Sequence, residues 1–410
     1  MRRVVITGMG AVTPLGKDVA STFEAMIQNE CAIDKITHFD ASEYKVSLAA
    51  QVKDFDMSDY LSARDKKFND RFTQFARIAS YQAMKQANIH VDTINNQRMG
   101  VIIGSGIGGV GSIEQAKENL MNRGPTRISP YFIPMALINL AAGQVAIDHQ
   151  AKGICSSVVT ACAAGANAIG EAYLKIKHNE QDIMICGGSE AAITPLAIGG
   201  FMVMRALSES NDPNKASTPF DKNRSGFVMG EGAGVLVLED LEHAQQRNAT
   251  ILGEIIGYGY SCDAHHITAP HESGEGAAQA MMHAIQDANI SLDSIDYINA
   301  HGTSTPLNDK TEIKAIKHAL KEHAYKPIIS STKSHIGHLL GASGAVESIV
   351  CLQALLQGEI PATIHVQQLD EKCDLNILVN QSVKKNIKIA MTNSLGFGGH
   401  NASLLFRKWE

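Results

Sequence analysis

Short apolar runs along this chain alternate with longer stretches in which apolar positions recur every three or four residues. The short runs, Val4 to Thr7, Val101 to Gly104, Ile154 to Val159, Ile183 to Cys186, Ile295 to Asn299 and Ile387 to Thr392, predict buried strands. The longer stretches, Asp65 to Asn88, Pro134 to Ile147, Ala163 to Ile176, Gly274 to Ala288, Lys310 to Leu320 and Ala342 to Leu356, predict helices. Such alternation predicts an α/β layered architecture around mixed, largely parallel sheets. Near residue 250 the strand Gly234 to Leu238 passes through the charged helix Glu239 to Arg247 into a fresh strand, Ile251 to Tyr260. We therefore expect two halves, 1–250 and 251–410. Each half runs through strand, loop, helix and strand in a similar order, which permits an internal duplication.

Composition narrows the picture. At 410 residues the chain is longer than the roughly 100–200 of a typical single domain, and 44% hydrophobic with 19% charged residues describes a globular enzyme. The net charge of −6 provides no general field for nucleic acid or an anionic membrane, so an acidic partner needs a local basic patch. Met1-Arg2-Arg3 precedes only three apolar residues, and no later apolar run approaches 18, so a cytoplasmic protein without membrane spans is expected. Seven cysteines, an odd number without a C-x-x-C pair, argue against disulfides.

Four segments carry candidate chemistry. In Thr160-Ala-Cys162-Ala-Ala-Gly a strand runs into a cysteine that opens a small-residue helix. Helix N–H groups favour an anion there, so a reactive thiolate is one reading and an inert buried thiol the other. Ile298-Asn-Ala-His301-Gly-Thr303-Ser-Thr305 sets a histidine at a strand's carboxyl end, where α/β sheets bind ligands. Lys333-Ser-His335-Ile-Gly-His338 concentrates cations on one loop, with Glu347 following. His335 and His338 lack the spacing and third ligand of a zinc site, so no metal is expected. Finally, Leu395-Gly-Phe397-Gly-Gly-His400-Asn401 sets an aromatic ring among glycines whose N–H groups suit an oxyanion. Gly104-Ser-Gly-Ile-Gly-Gly109 fits a dinucleotide fingerprint, but no acidic residue follows about 20 positions on, and no cofactor is expected.

Together with Val5-Ile-Thr-Gly-Met-Gly, Pro219-Phe-Asp and Gly226-Phe-Val-Met-Gly-Glu-Gly-Ala-Gly, these segments make the whole chain resemble the β-ketoacyl-[acyl-carrier-protein] synthases, most of all their type II elongating branch. The resemblance implies a duplicated thiolase-like fold (α/β/α/β/α) and a homodimer working with acyl- and malonyl-loaded acyl carrier protein. Cys162 would then accept the acyl chain, His301 and His338 would hold the malonyl thioester during decarboxylation, and the N–H groups of Cys162 and Phe397 would cradle the oxyanion. Lys333 would order the site with Glu347 beside it, while Thr303 and Thr305 would bind the pantetheine arm. Ile107, Phe132 and Phe201 would line an acyl tunnel gated by Phe397. Arg64, Lys66, Lys67, Arg71 and Arg205 are the candidate docking cations. Leu395, where Phe is usual, His400, where Thr is usual, and His335 depart from the pattern and leave chain-length preference open.

Other classes fit less well. A degradative thiolase needs a second cysteine in the last loop, a chain-initiating synthase pairs Cys with His and Asn, and a non-catalytic chain-length partner lacks the cysteine. A polyketide-type ketosynthase remains the alternative pathway setting.

Overall fold

The computed structural model of the chain describes residues 1–53 and 56–410. Ten strands form one mixed sheet: β1 (Val4–Val12), β2 (Met99–Gly104), β3 (Cys155–Ser156), β4 (Ile183–Glu190), β5 (Gly232–Asp240), β6 (Gly253–Cys262), β7 (Tyr297–Asn299), β8 (Ile328–Ser330), β9 (Ile389–Gly396) and β10 (His400–Arg407). Their spatial order is β8-β7-β9-β10-β6-β1-β5-β4-β2-β3. Read outward from the centre, each group of five runs first, fifth, fourth, second, third. Pairing repeats as well. The outer three strands of each group are parallel and the inner three antiparallel, and a short antiparallel β1–β6 contact joins the two groups.

The principal helices are α1 (Arg71–Ala87), α2 (Ala164–Lys177), α3 (Glu275–Ala288), α4 (Asn308–Leu320) and α5 (Ser343–Gln357). Strand alternation decides which helices each face buries. In β5, Val235 and Val237 pack on Phe72, Phe75 and Ile78 of α1. Leu236 and Leu238 point the other way, into a cluster with Ile169 of α2 and Leu352 of α5. In β10, Leu404 and Phe406 enter that same central cluster, whereas Leu405 meets Met281 of α3 and Ile313 of α4. The result is five layers, helix, half-sheet, helix pair, half-sheet, helix, as in the thiolase-like fold.

Several predicted elements are interrupted or shortened. The stretch from Asp65 to Asn88 breaks into Ala63–Phe68 and α1 because Asp70 turns its carboxylate onto the Phe72 N–H as an N-cap. Pro134 to Ile147 divides into Phe132–Ala136 and Asn139–Asp148. The run Ile154 to Val159 pairs only through Cys155–Ser156, an exposed edge strand. Strand β10 has no counterpart among the predicted elements. One expectation is corrected: Leu340–Gln357 reaches 18 residues with mean hydropathy 1.3, but 89% of it is buried inside the molecule, so its apolarity serves the core.

Both central helices start alike. A single 3-10 turn precedes each, Ala161–Ala163 before α2 and Leu340–Ala342 before α5. Each turn opens on a non-glycine residue with positive φ, Ala161 at 49° and Leu340 at 47°. Superposing the turns by sequence sets Cys162 opposite Gly341 and Gly165 opposite Gly344. The glycines let the two helices touch: a methyl on Gly165 would meet the Gly341 carbonyl oxygen at 2.7 Å, and one on Gly344 would meet Ser394 Oγ at 2.7 Å and Ala166 N at 2.8 Å. Gly344→Ala should therefore lower unfolding free energy by about 1–3 kcal/mol. Gly143→Ala, where a methyl approaches nothing closer than Leu140 Cδ1 at 3.8 Å, should be neutral or stabilising in the same denaturant titration.

Candidate active site

In both groups of five, the functional segments follow from the carboxyl ends of strands. Cys162 comes after β3, His301 after β7, the Lys333 to His338 loop after β8, and Phe397 on the hairpin joining β9 to β10. The hairpin turn needs its glycines, with Gly398 and Gly399 at φ of 85° and 75°. A cavity of about 350 Å³ collects Cys162, His301, His338, Thr303, Thr305, Phe201, Phe397, Leu395 and Arg205 on its wall.

Cys162 is 8% exposed and sits in the 3-10 turn ahead of α2, rather than at the first turn of the α-helix. This corrects the expectation of a preformed thiolate. Burial pushes its thiol up to about 12; the charge on Lys333 and the N–H groups of Phe397 and of Cys162 itself pull it down only in part. Those two N–H groups converge on the sulfur, the geometry an oxyanion at an acyl carbon would use. Gly396 is required for this approach, since a methyl there would lie 2.7 Å from the Thr160 carbonyl oxygen.

The His301 and His338 rings meet edge to face with centroids 5.2 Å apart. Burial, followed by the nearby Lys333 charge, holds both well below the ordinary histidine range, so both are neutral at pH 7. His338 Nδ1 is held by Ser343 Oγ at 2.8 Å, which leaves its Nε2 buried without a protein partner. His301 Nδ1 is likewise unpartnered. The segment carrying His301 is fixed from behind by Glu312 on α4, whose two oxygens accept from the N–H groups of His301 and Gly302 at 2.8 Å each. Lys333 is buried in an ion pair with Glu347 of α5, which keeps a cation next to the histidines without leaving it uncompensated. Burial pushes the Glu347 carboxyl up while Lys333 pulls it down.

The remaining candidates divide. Thr303 and Thr305 hydroxyls lie 3.0 Å apart on the cavity wall. Phe201 lines the cavity with its ring centroid 6.2 Å from Phe397. Ile107 packs in the apolar cluster that contains Cys162, Ile198 and Leu340, behind the open cavity. Phe132 opens a short helix, Phe132–Ala136, and does not line the cavity of the single chain, contrary to the tunnel expectation. Arg64 and Lys67 are exposed and flank the Phe68 ring, and Arg205 is exposed at the cavity mouth. Arg71 is corrected: its guanidinium is engaged by Glu231 at 2.8 and 2.9 Å and is not free to dock a partner. His335 donates no chemistry to the cavity; its ring nitrogens each sit 2.8 Å from a carbonyl oxygen, of Glu30 and Ala362. His400 pairs with Cys262 across the β10–β6 ladder and faces a neighbouring pocket with Tyr260 and Ser261.

Comparison with known proteins agrees with this arrangement. The model of the beta-ketoacyl synthase N-terminal domain matches residues 1–244, and that of the C-terminal domain matches 252–367. The chain belongs to the β-ketoacyl synthase family. It is 49% identical over 409 residues to the 3-oxoacyl-[acyl-carrier-protein] synthase 2 of Staphylococcus aureus (strain COL), and 47% identical over 410 residues to that of Synechocystis sp.; each comparison covers 100% of this chain and 99% of the relative. Among solved structures, a beta-ketoacyl synthase from Burkholderia phymatum superposes with a TM-score of 0.92 at 34% identity over the whole of both chains. A type II PKS acyl-carrier protein in complex with its ketosynthase bound to the hexaketide gives 0.92 and 34%, again with full coverage. This β-ketoacyl synthase is thus an acyltransferase of the condensing type.

Residue-by-residue reading missed Ser343, Glu312 and Glu190, the last two of which stand outside the segments that look catalytic. Only the spacing of Ser343, five residues after His338 at the start of a predicted helix, offered a signal. If both histidines are neutral, their Cε1 resonances in 13C-labelled enzyme should stay at the imidazole position from pH 8 down to pH 6. A titration step near 6.5 in either resonance would contradict the burial argument.

Proposed function

We propose that this chain catalyses the decarboxylative Claisen condensation of an acyl-enzyme thioester with malonyl-[acyl carrier protein], giving 3-oxoacyl-[acyl carrier protein], carbon dioxide and free carrier protein. The observation that carries this reading is a buried thiol, flanked by two converging N–H groups, sharing one cavity with two neutral histidines, each of which has one buried ring nitrogen without a protein partner. In the first half-reaction Cys162 Sγ attacks the acyl carbonyl, the carrier thiol leaves with the proton, and the oxyanion is held by the N–H groups of Cys162 and Phe397. In the second, His301 and His338 donate N–H bonds to the malonyl thioester oxygen as the carbon–carbon bond to the departing carbon dioxide breaks. The carbanion then attacks the acyl-enzyme, and Cys162 leaves as thiolate and is reprotonated.

Donors that meet charge only as it develops lower the barrier without tightening substrate binding, and one such donor is worth about 3–4 kcal/mol. Lys333 and Glu347 hold the electrostatic frame, and Thr303 and Thr305 receive the pantetheine arm. The 47–49% identity with synthase 2 proteins supports fatty-acid elongation over the polyketide setting, whose structural relative stands at 34%. A thiolase is disfavoured because Cys351 and Cys373 are buried outside the cavity.

The reading includes a homodimer in the cytoplasm. The free edge of β3 and exposed Ile133, Leu137, Ile147 and Val159 are the features a second copy would cover. Carrier protein would approach through Arg64, Lys67 and Arg205.

Incubation with carrier protein bearing acyl chains of graded length and malonyl-loaded carrier, followed by mass analysis, should yield 3-oxoacyl products two carbons longer than the donor. Cys162→Ala should yield none; product at the wild-type rate from that variant would end the mechanism. In the docking step, charge reversal at Arg64 and Lys67 should raise the apparent KM for carrier protein about tenfold at low salt and much less at 0.5 M salt. An unchanged KM at low salt would remove that face from the docking surface.

A further inference from the structure

The matched turns before α2 and α5 place equivalent backbone N–H groups at Cys162 and Gly341. In the first, the N–H is free to serve the reacting carbonyl. The second is occupied. Glu190, at the carboxyl end of β4, sends its Oε2 to Gly341 N at 3.0 Å and to Gly106 N at 2.7 Å. Its Oε1 accepts from Ser105 Oγ at 2.9 Å, Ile107 N at 3.1 Å and Gly108 N at 3.2 Å. Glu190 is fully buried. Burial pushes this carboxyl up, and the Gly106, Ser105, Gly341 and Ile107 donors pull it back; five donors covering both oxygens is the arrangement a carboxylate satisfies. It is a fixed anion in the twin of the oxyanion site. Among the described residues no cation forms an ion pair with it, and its charge is met by four backbone N–H groups and the Ser105 hydroxyl, in the manner of an anion-binding nest.

The surroundings connect this anion with the nucleophile. A methyl on Gly106 would lie 2.9 Å from Glu190 Oε2 and 3.5 Å from the carbonyl oxygen of Ala161, the residue before Cys162. The loop from Ser105 to Gly108 thus runs between the carboxylate and the cysteine turn, and its Ile107 packs in the Cys162 cluster. The negative charge also disfavours the Cys162 thiolate, against the opposite pull of Lys333.

We propose that Glu190 is a positioning residue for the condensing site: by filling the second anion hole it fixes the Ile107 loop and Gly341 around Cys162, and its fixed negative charge opposes formation of the Cys162 thiolate. The proposal rests on Cys162 as the reactive thiol of the function given above, and it is tested by a measurement that does not require condensation.

Iodoacetamide alkylation of Cys162 at pH 8, resolved by peptide mapping from the exposed Cys262, reports the thiolate fraction, which changes tenfold per unit of pKa. In Glu190→Gln, which is isosteric and uncharged, Cys162 should alkylate about five- to tenfold faster, with Cys262 unchanged. Ser105→Ala removes one donor but keeps the charge, now less compensated, and should slow Cys162 about two- to threefold. A loop loosened without an electrostatic effect would accelerate both variants. Acceleration in both, or an unchanged or slower Glu190→Gln, would overturn the proposal. If Glu190→Gln does not fold by thermal melting, Ser105→Ala decides alone: slower alkylation supports the proposal, and an equal or faster rate overturns it. Cys162→Ala in the condensation assay tests the nucleophile separately, so failure of one reading does not imply failure of the other.

Discussion

The contact between the amino ends of α2 and α5 is the constraint on which the site depends. Gly165 and Gly344 let the two helices approach until a single methyl on either would strike backbone or side chain of the other segment within 2.8 Å. That approach sets the separation of the two half-sheets and brings the turn Ala161–Ala163 against Leu340–Ala342. Cys162 from one half and His301, His338 and Phe397 from the other can then share a cavity. Close-packed interiors transmit small displacements rather than absorbing them, so widening this seam would separate nucleophile, histidines and N–H donors together.

Burial at the seam then dictates how charge is handled. An isolated ion here would cost several kcal/mol, so Lys333 is matched by Glu347, and both histidines and the thiol are held neutral. The site in its resting state therefore carries donors and dipoles but no free anion. Negative charge is met as it forms on the reacting oxygens, where preorganised donors in a dry cavity contribute most. A resting thiolate would satisfy the converging N–H groups too early and compete with the oxyanion for them.

Much of this arrangement was legible in the sequence. Strand-to-loop-to-helix transitions at Cys162, His301 and His338 marked the carboxyl edge, and the glycines around Phe397 marked a tight hairpin. What the sequence concealed depends on distant partners. Asp70 breaks a continuous helical pattern because its carboxylate caps the following helix and also takes Ser112, 42 residues on. Arg71 looks like a docking cation beside Lys67, yet Glu231 claims it from 160 positions away. The thiol of Cys162 looks activated by its helix, but the 3-10 turn and its burial reverse the direction. Internal duplication was only permitted by the order of elements. The repeated strand order, the repeated pairing and the matched positive φ at Ala161 and Leu340 make it visible, because backbone conformation retains what side-chain identity has lost.

That duplication also explains why one half alone supplies the nucleophile. The frames at Cys162 and Gly341 offer the same backbone donor, but they differ in what stands opposite. At Gly341 any side chain is excluded, since a methyl would lie 2.3 Å from Gly106 N, and the donor is taken by Glu190. At Cys162 the opposite wall is the glycine hairpin of β9 and β10, which approaches the backbone closely enough to add the Phe397 N–H while leaving the sulfur on the cavity wall. One frame can therefore bind only a fixed internal anion, and the other can bind a transient one. The asymmetry between a filled hole and an empty one is what converts a symmetrical scaffold into a site with a single reacting end.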